Sequence, residues 1–282
     1  FRSSASVAVW QTDSHPSTSA NVVTIDEGNN LYYASQGADA ASSYIKKYNS
    51  SGSLVASFGT GGTLSPVVVN GVQVRPRSIA YAGGRLIVTP FTGAPEQIGT
   101  VDALTGADGG VAIDAPGNKA DTATVGGTEL WQGATYDSAA NAIYGNAMGT
   151  LVKLTGASAT FANLASFNTV TPVVVVKRTS SDQYWLKKDP TSRWIAFSSF
   201  REYSGTPTVF VTKTAIYEPS TGKVEFVGGP PPVGDGTINE NGAPAFFTVG
   251  ATQYLATLSQ RDSAIDLWKY VGPASVNDWS MY

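Results

Sequence analysis

A β-hairpin recurs along the chain about every 55 residues, and this repeat limits the possible folds more than any other feature. Short turns rich in Gly, Asn and Asp separate its two strands, and these residues accept positive φ or bond to nearby backbone. The first apolar residues of the second strands are separated by 55, 57, 51 and 60 residues: Leu31, Leu86, Ile143, Trp194 and Tyr254. A period of roughly 40–55 residues, built from strands that cannot bury their own faces, is typical of a β-propeller blade.

The first complete unit, Asn21–Gly59, predicts four short strands. They are Asn21–Ile25, Leu31–Ser35, Tyr44–Tyr48 and Ser53–Phe58. An isolated sheet of this size leaves both faces in water, so the unit requires neighbours.

The other units keep the hairpin. Their predicted strand pairs are Ser78–Tyr81 with Leu86–Thr89, Gly133–Tyr136 with Ala142–Asn146, Tyr184–Lys187 with Trp194–Ser198, and Ala245–Val249 with Tyr254–Leu258. The sequence therefore predicts an all-β fold, a single propeller domain over residues 1–282 with five blades, and leaves six blades as the alternative.

Several motifs in the first unit resemble repeats of the NHL type and of the related YVTN and SMP-30/gluconolactonase propellers. They are Ile25-Asp26, Gly28-Asn29-Asn30-Leu31-Tyr32, Ile45-Lys46-Lys47-Tyr48, Ser51-Gly52-Ser53-Leu54 and Phe58-Gly59. In the third unit, only Tyr136-Asp137, Asn141-Ala142-Ile143-Tyr144 and Leu151-Val152-Lys153-Leu154 follow the pattern. These motifs specify turns and packing, so the resemblance implies a fold and carries over no catalytic residue.

Composition excludes several classes of function. The net charge of −3 and the pI near 5.2 argue against a phosphate-binding surface, so nucleic acid is not an expected partner. No apolar run approaches the roughly 18–20 residues that span a bilayer. With a single histidine, His15, and no cysteine, a site for a transition metal is not expected, nor is any cofactor.

Aspartates recur in the hairpin turns and are predicted to stabilise those turns. Asp26, Asp137 and Asp189 hold equivalent positions in three units, and a catalytic residue has no reason to recur in each blade. Asp108-Gly109-Gly110 is predicted as a turn between the third and fourth strands of the second blade, with a hard-cation site formed by Asp102, Asp108 and Asp114 as the alternative.

Three connectors carry signals of their own. Val67–Val69 and Val72–Val74 flank Asn70-Gly71, which predicts a small hairpin ribbon. The all-apolar run Val173–Val176 predicts a buried added strand in the third blade. Gly228–Pro244 contains three consecutive prolines and is predicted to be an exposed loop.

The termini are expected to meet. Ser6–Gln11 predicts a lone strand with no blade of its own, and the last unit has only the short Trp279–Tyr282 as a fourth strand. We expect Ser6–Gln11 to lie against the Ile265–Val271 side of the last blade, with Trp10 between the last and first blades, which removes an open sheet edge. The alternative is a separate sixth blade.

Aromatic and charged residues on predicted loops mark one candidate binding face. In the families that the chain resembles, ligands meet loops joining strands two and three and loops joining blades. The candidate binding residues are Trp131, Arg201, Glu202, Tyr203, Glu240, Arg261 and Asp262. They favour recognition of a carbohydrate or protein ligand.

Two other classes of function stay open. One is a structural component of a virion or cell-surface assembly, and the other is a glycoside hydrolase or lactonase that uses paired carboxylates. The chain begins at Phe1, lacks cysteine and is poor in charge, so we expect a secreted or extracellular protein.

Overall fold

The computed structural model describes residues 21–91, 97–113, 131–147, 150–156, 160–169, 173–176, 186–189, 193–204, 209–227, 237–238, 244–259, 264–273 and 278–281. Over these residues the chain forms five blade sheets, each an antiparallel meander of four strands, with one parallel strand added to the fourth sheet, which is a five-bladed β-propeller. The first strands of successive blades contact one another in chain order, so the blades follow each other around a common axis. The fold predicted from the hairpin repeat is confirmed.

The blades have the following strands. Blade 1 contains β1 (Asn21–Ile25), β2 (Leu31–Ser35), β3 (Tyr44–Tyr48) and β4 (Thr63–Leu64). A ribbon of β5 (Val68–Val69) and β6 (Val72–Gln73) precedes blade 2, which contains β7 (Pro76–Ala82), β8 (Arg85–Pro90), β9 (Ile98–Asp102) and β10 (Asp108–Ile113). Blade 3 contains β11 (Trp131–Asp137), β12 (Ala142–Ala147), β13 (Thr150–Thr155) and β14 (Val173–Val176), with a 3-10 helix at Leu164–Thr169.

Blade 4 contains β15 (Leu186–Lys188), β16 (Ile195–Ser204), β17 (Val209–Glu218) and β18 (Lys223–Val227), and β19 (Thr237–Ile238) pairs in parallel with β17. Blade 5 contains β20 (Ala245–Val249), β21 (Thr252–Ser259), β22 (Ala264–Tyr270) and β23 (Trp279–Met281). Within the described ranges, no helix is both long and apolar enough to cross a membrane.

The fourth strand of blade 1 differs from the prediction. Ser53–Phe58 is not a strand, although Leu54 forms an isolated bridge with Tyr48. The edge of the sheet is instead β4, which pairs Thr63 with Lys46 and Leu64 with Ile45. The Phe58 side chain is fully buried in the core between blades 1 and 2, so the segment contributes packing rather than a strand.

Apolar faces of consecutive blades form four cores. Fully buried side chains at each interface include Ile79 and Leu86 between blades 1 and 2, Ile87 and Ile143 between blades 2 and 3, Tyr144 and Ile195 between blades 3 and 4, and Ala196 and Leu255 between blades 4 and 5. Burying one such aliphatic side chain stabilises the fold by about 1.5–3 kcal/mol. The blades therefore hold one another in place.

The predicted turn chemistry is present. One Asp26 carboxylate oxygen accepts hydrogen bonds from the backbone N–H groups of Gly28 and Asn30, both at 2.9 Å. Asp137 accepts from Ala139 and Ala140 in the same way. These bonds satisfy donors that a hairpin turn would otherwise leave to water.

The turn predicted at Asp108-Gly109-Gly110 lies elsewhere. Asp108 is the first residue of β10, and the chain turns before it, between Asp102 and Asp108. The Asp108 carboxylate accepts hydrogen bonds from the backbone N–H groups of Asn70, at 2.8 Å, and Gly71, at 2.7 Å. It therefore anchors the turn of the β5–β6 ribbon, whose prediction is confirmed by positive φ at both turn residues.

Two other connectors depart from prediction. Val173–Val176 forms the outer strand of blade 3, but Val173 is exposed and Val174 and Val175 are only partly buried. In Gly228–Pro244, Thr237–Ile238 pairs with blade 4, and the rest of the connector, apart from Pro244, lies outside the described residues. Ser6–Gln11 also lies outside them, and the β22 edge beside which we expected it is taken along Trp268–Tyr270 by β23.

Candidate functional site

Trp131, one of the predicted binding residues, lies in the core. It is the first residue of β11 and its side chain is fully buried among apolar residues of blades 2 and 3. The ring fills the space above Gly145, where an added Cβ would lie 2.2 Å from Trp131 Cζ3. The Trp131 side chain therefore contributes to core packing.

Arg201, Glu202 and Tyr203 lie on a projecting ribbon rather than a loop. Their backbone belongs to β16, with Arg201 paired to Thr212, Glu202 to Val211 and Tyr203 to Phe210. β16 and β17 are ten residues each, but β15 and β18 pair only with the part of them next to the strand 1–2 turn. We call Phe200–Ser204 with Val209–Lys213 the blade 4 ribbon.

The blade 4 ribbon points from one face of the propeller. Five residues of strand span about 17 Å, so it extends well past the four-stranded part of the blade. A shift of register between Phe197 and Phe200 separates it from that part, and such bulges redirect a strand. β19 adds a third, parallel strand to it at Phe210–Val211. Glu240, Arg261 and Asp262 lie outside the described residues.

A lysine of blade 4 reaches across the propeller axis. The Lys187 ammonium donates hydrogen bonds to the backbone carbonyls of Val23 in blade 1, at 2.6 Å, and Ile79 in blade 2, at 3.4 Å. Burial lowers the pKa of Lys187 to about 8. The carbonyl dipoles oppose this effect, since they favour the charged amine.

The next residue, Lys188, ends β15 among the strand 1–2 turns. Burial lowers its pKa, while the nearby carboxylates of Asp137, Asp189 and Glu27 act in the opposite direction. Because those carboxylates come from turns of blades 3, 4 and 1, the lysine lies where several turns converge at one mouth of the axis. This mouth is opposite the blade 4 ribbon, since strand 1–2 turns and strand 2–3 turns lie at opposite ends of a blade.

A network of charges and aromatic rings joins blades 4 and 5. The Arg193 guanidinium lies 4.4 Å from the Trp194 ring centroid and 4.6 Å from that of Tyr270, and it donates to Glu218 at 2.9 Å. Lys223 forms ion pairs with Glu225, at 2.5 Å, and Asp278, at 2.8 Å. Hydrogen bonds to both carboxylates raise the pKa of Lys223.

The network encloses only a small cavity, lined by Trp194, Ile216, Glu218, Lys223, Glu225, Asp278 and Trp279. It has room for roughly one water molecule. In the part of the chain that the structure describes, no group of three or more His, Cys, Asp or Glu residues is placed to hold a metal ion. The charged and aromatic residues of this network therefore serve to hold blades 4 and 5 together.

Sequence reasoning did not single out Lys187, Arg193 or Lys223. A charged residue inside a predicted first strand was a usable signal for Lys187, since that strand borders the axis. Arg193 directly before Trp194 was a usable signal for stacking of a cation on an aromatic ring. Their partners, however, are distant in sequence, as with Val23, which lies 164 residues before Lys187.

Comparison with known proteins gives structural likeness alone. The sequence matches no protein-family model and no curated protein. A Bacteroides uniformis protein named as a 6-phosphogluconolactonase matches with a TM-score of 0.49 and 10% identity, over 92% of this chain and 69% of that one. The periplasmic gluconolactonase of Pseudomonas aeruginosa gives 0.47 and 10%, over 93% and 84%.

A structure of the nidogen/laminin complex gives a TM-score of 0.47 and 11% identity, over 88% of this chain and 74% of that one. Several neighbours are thus propeller proteins of different function. At these identities and TM-scores they support no argument about what this chain binds or converts.

Proposed function

We propose that this chain is an exported recognition propeller, which binds a carbohydrate or protein ligand on the face from which the blade 4 ribbon projects. The ribbon is the observation that carries the proposal. Its strands continue beyond the part of the blade that the flanking strands pair with, so packing of the propeller does not account for its length. Extensions of this kind on a rigid scaffold are where binding residues concentrate.

The ribbon also holds three of the seven residues that sequence marked for binding, namely Arg201, Glu202 and Tyr203. Tyr and Arg are the residue types that most often dominate binding energy at interfaces. A third strand, β19, braces the ribbon through backbone pairing, and a braced site loses less conformational entropy when a ligand binds. Glu240, Arg261 and Asp262 are proposed to extend the same surface.

The test begins with a glycan array and a pull-down from extracellular material, and continues with Arg201→Ala and Tyr203→Ala against the ligand found. Each substitution should weaken binding by about tenfold or more, as expected for central contact residues. Glu27→Ala is the control, because Glu27 is exposed in a strand 1–2 turn, at the opposite end of the blades. It should leave affinity within about twofold, and melting temperatures should show that all variants fold.

Three results would overturn the proposal. The first is unchanged affinity in both ribbon variants, and the second is the absence of any ligand in either screen. The third is turnover of a lactone or glycoside that is lost with Glu202→Gln or Glu240→Gln, which would make the chain an enzyme. Defined oligomers seen by light scattering would instead support a component of a larger assembly.

A further inference from the structure

Within the described residues, the four apolar cores include none between blades 5 and 1. Cores join blades 1 and 2, 2 and 3, 3 and 4, and 4 and 5. A propeller is held by the packing of each blade on both neighbours, so residues outside the described part of the chain are needed to complete this interface.

Blade 5 shows the asymmetry directly. One of its faces packs on blade 4 through Leu255, Trp268 and Trp279, all buried. The opposite face is mostly apolar, with Thr252 and Lys269 as its polar members. None of its described apolar side chains larger than a methyl group is buried: Phe247, Val249, Tyr254, Ile265 and Leu267. Val249 is 61% exposed and Ile265 is 67% exposed.

The central blades differ in this respect. In β8 of blade 2, the consecutive residues Leu86 and Ile87 point to opposite faces, and each is fully buried in a different core. Blade 1 resembles blade 5 along its first strand, where the face away from blade 2 leaves Val23 43% exposed and Ile25 58% exposed. Farther out on the same face, Tyr33 and Tyr48 are buried. Exposed apolar side chains therefore lie on both of the blades that should meet when the ring closes.

The chain itself supplies a segment suited to this space. Twenty residues precede Asn21, which is the first residue of β1 and so lies on a blade that borders the open interface. An extended chain spans about 3.3 Å per residue, so this segment has ample reach to cover both faces. Ser6–Gln11 reads SVAVWQ and contains no charged residue, so burying it costs no ionic desolvation.

We propose that Ser6–Gln11 packs between the exposed apolar faces of blades 5 and 1, with Trp10 as its largest contact, and so supplies the missing fifth core. It meets the face of blade 5 rather than extending the sheet at Trp268–Tyr270, where β23 already pairs with β22. The segment acts as an internal partner that keeps these faces from a second copy of the chain or a foreign sheet. The inference does not depend on the proposed ligand.

The experiment places a charge on the open face of the full-length chain. Ile265→Asp should lower the melting temperature by roughly 5–10 °C if the face is covered, because a buried unpaired carboxylate is strongly destabilising. Leu104→Asp is the matched control, since Leu104 is 63% exposed and lies in a blade 2 turn away from this interface. It should change the melting temperature by less than about 2 °C.

A second variant tests whether Ser6–Gln11 is the segment that covers this face of blade 5. Trp10→Ala in the full chain should lower the melting temperature on its own, and Ile265→Asp should then add little, because both changes damage the same contact. Light scattering should show a monomer for the full-length chain and association for Trp10→Ala.

Two outcomes would overturn the proposal. If Ile265→Asp is as harmless as Leu104→Asp, the face is open to solvent in the folded protein. If the full-length chain is a dimer that Ile265→Asp separates into monomers, a second copy is the occupant and the N-terminal segment is not. Additive effects of the Trp10 and Ile265 substitutions would also place Trp10 elsewhere.

Discussion

The contact between Trp131 and Gly145 shows how a single missing side chain can fix the position of a large one. Trp131 lies on β11 and Gly145 on the neighbouring β12, and the indole occupies the volume that a Cβ at position 145 would need. The residue was predicted as a ligand contact because tryptophan on a loop favours binding. Its position at the start of a strand opposite a glycine makes it a packing residue instead.

Gly145→Ala should therefore destabilise the protein by about 1–3 kcal/mol, the usual range for overpacking a core. Urea denaturation gives the free energy of unfolding. In a Trp131→Phe background the smaller ring should leave room for the added methyl group, so the cost of Gly145→Ala should fall. Equal costs in the two backgrounds would show that the indole does not occupy this space.

At the scale of the element, local chemistry accounts for what the sequence predicted well. The bounds of β1, β2, β3 and β20 agree with prediction to the residue. Two runs of β-prone residues joined by a turn of Gly, Asn or Asp specify a hairpin through residues that are adjacent in the sequence. The outer strands were harder to predict from the sequence. β4 has only two residues, and its pairing with β3 depends on a contact across a long connector rather than on a local pattern.

The β5–β6 ribbon packs on the core through Val69, and the Asp108 carboxylate is the main polar attachment of its turn to blade 2. Asp108→Ala removes the carboxylate that accepts two backbone N–H groups of its turn. We expect faster hydrogen exchange at the amides of Asn70 and Gly71, and a loss of about 1 kcal/mol in stability, as for partly exposed hydrogen bonds.

Asp39→Ala is the control for this prediction, because the Asp39 carboxylate is exposed and its hydrogen bonds, to Ser42 and to the backbone of Ala41, stay within its own turn. It removes the same charge without touching the ribbon. Unchanged exchange at Asn70 and Gly71 in Asp108→Ala would show that the ribbon holds its turn without the carboxylate.

For the whole molecule, the contacts that matter most are those that the sequence could not predict. The period of the hairpin predicts how many blades there are, but not which side chains meet across the axis, since that depends on the tilt and spacing of all the blades. Lys187 contacts carbonyls on blades 1 and 2 from blade 4, and Arg193 joins blade 4 to Tyr270 of blade 5. The candidate binding surface could be placed on one face only because the blade 4 ribbon is visible in the structure.

Lys187 should make stability depend on pH in the alkaline range. Burial lowers the pKa of Lys187 from 10.5 to about 8, so between these two values the unfolded chain binds more protons than the folded protein does. The free energy of unfolding contributed by this group therefore rises as the pH increases from about 8 to about 10.5 and is constant below and above that window. The contribution is unfavourable at low pH, where the folded state must bury a charged amine.

Lys187→Met removes this titration, and Lys187→Arg keeps a charge that does not titrate below pH 12. The stability of the unsubstituted protein relative to either variant, measured by urea denaturation from pH 7 to pH 10.5, should therefore increase with pH. The difference between the two variants should stay constant over the same range, because neither titrates at position 187. A flat difference between the unsubstituted protein and Lys187→Met would mean that the carbonyls of Val23 and Ile79 hold the ammonium strongly enough to cancel the effect of burial, so that the folded protein keeps the pKa of Lys187 near 10.5.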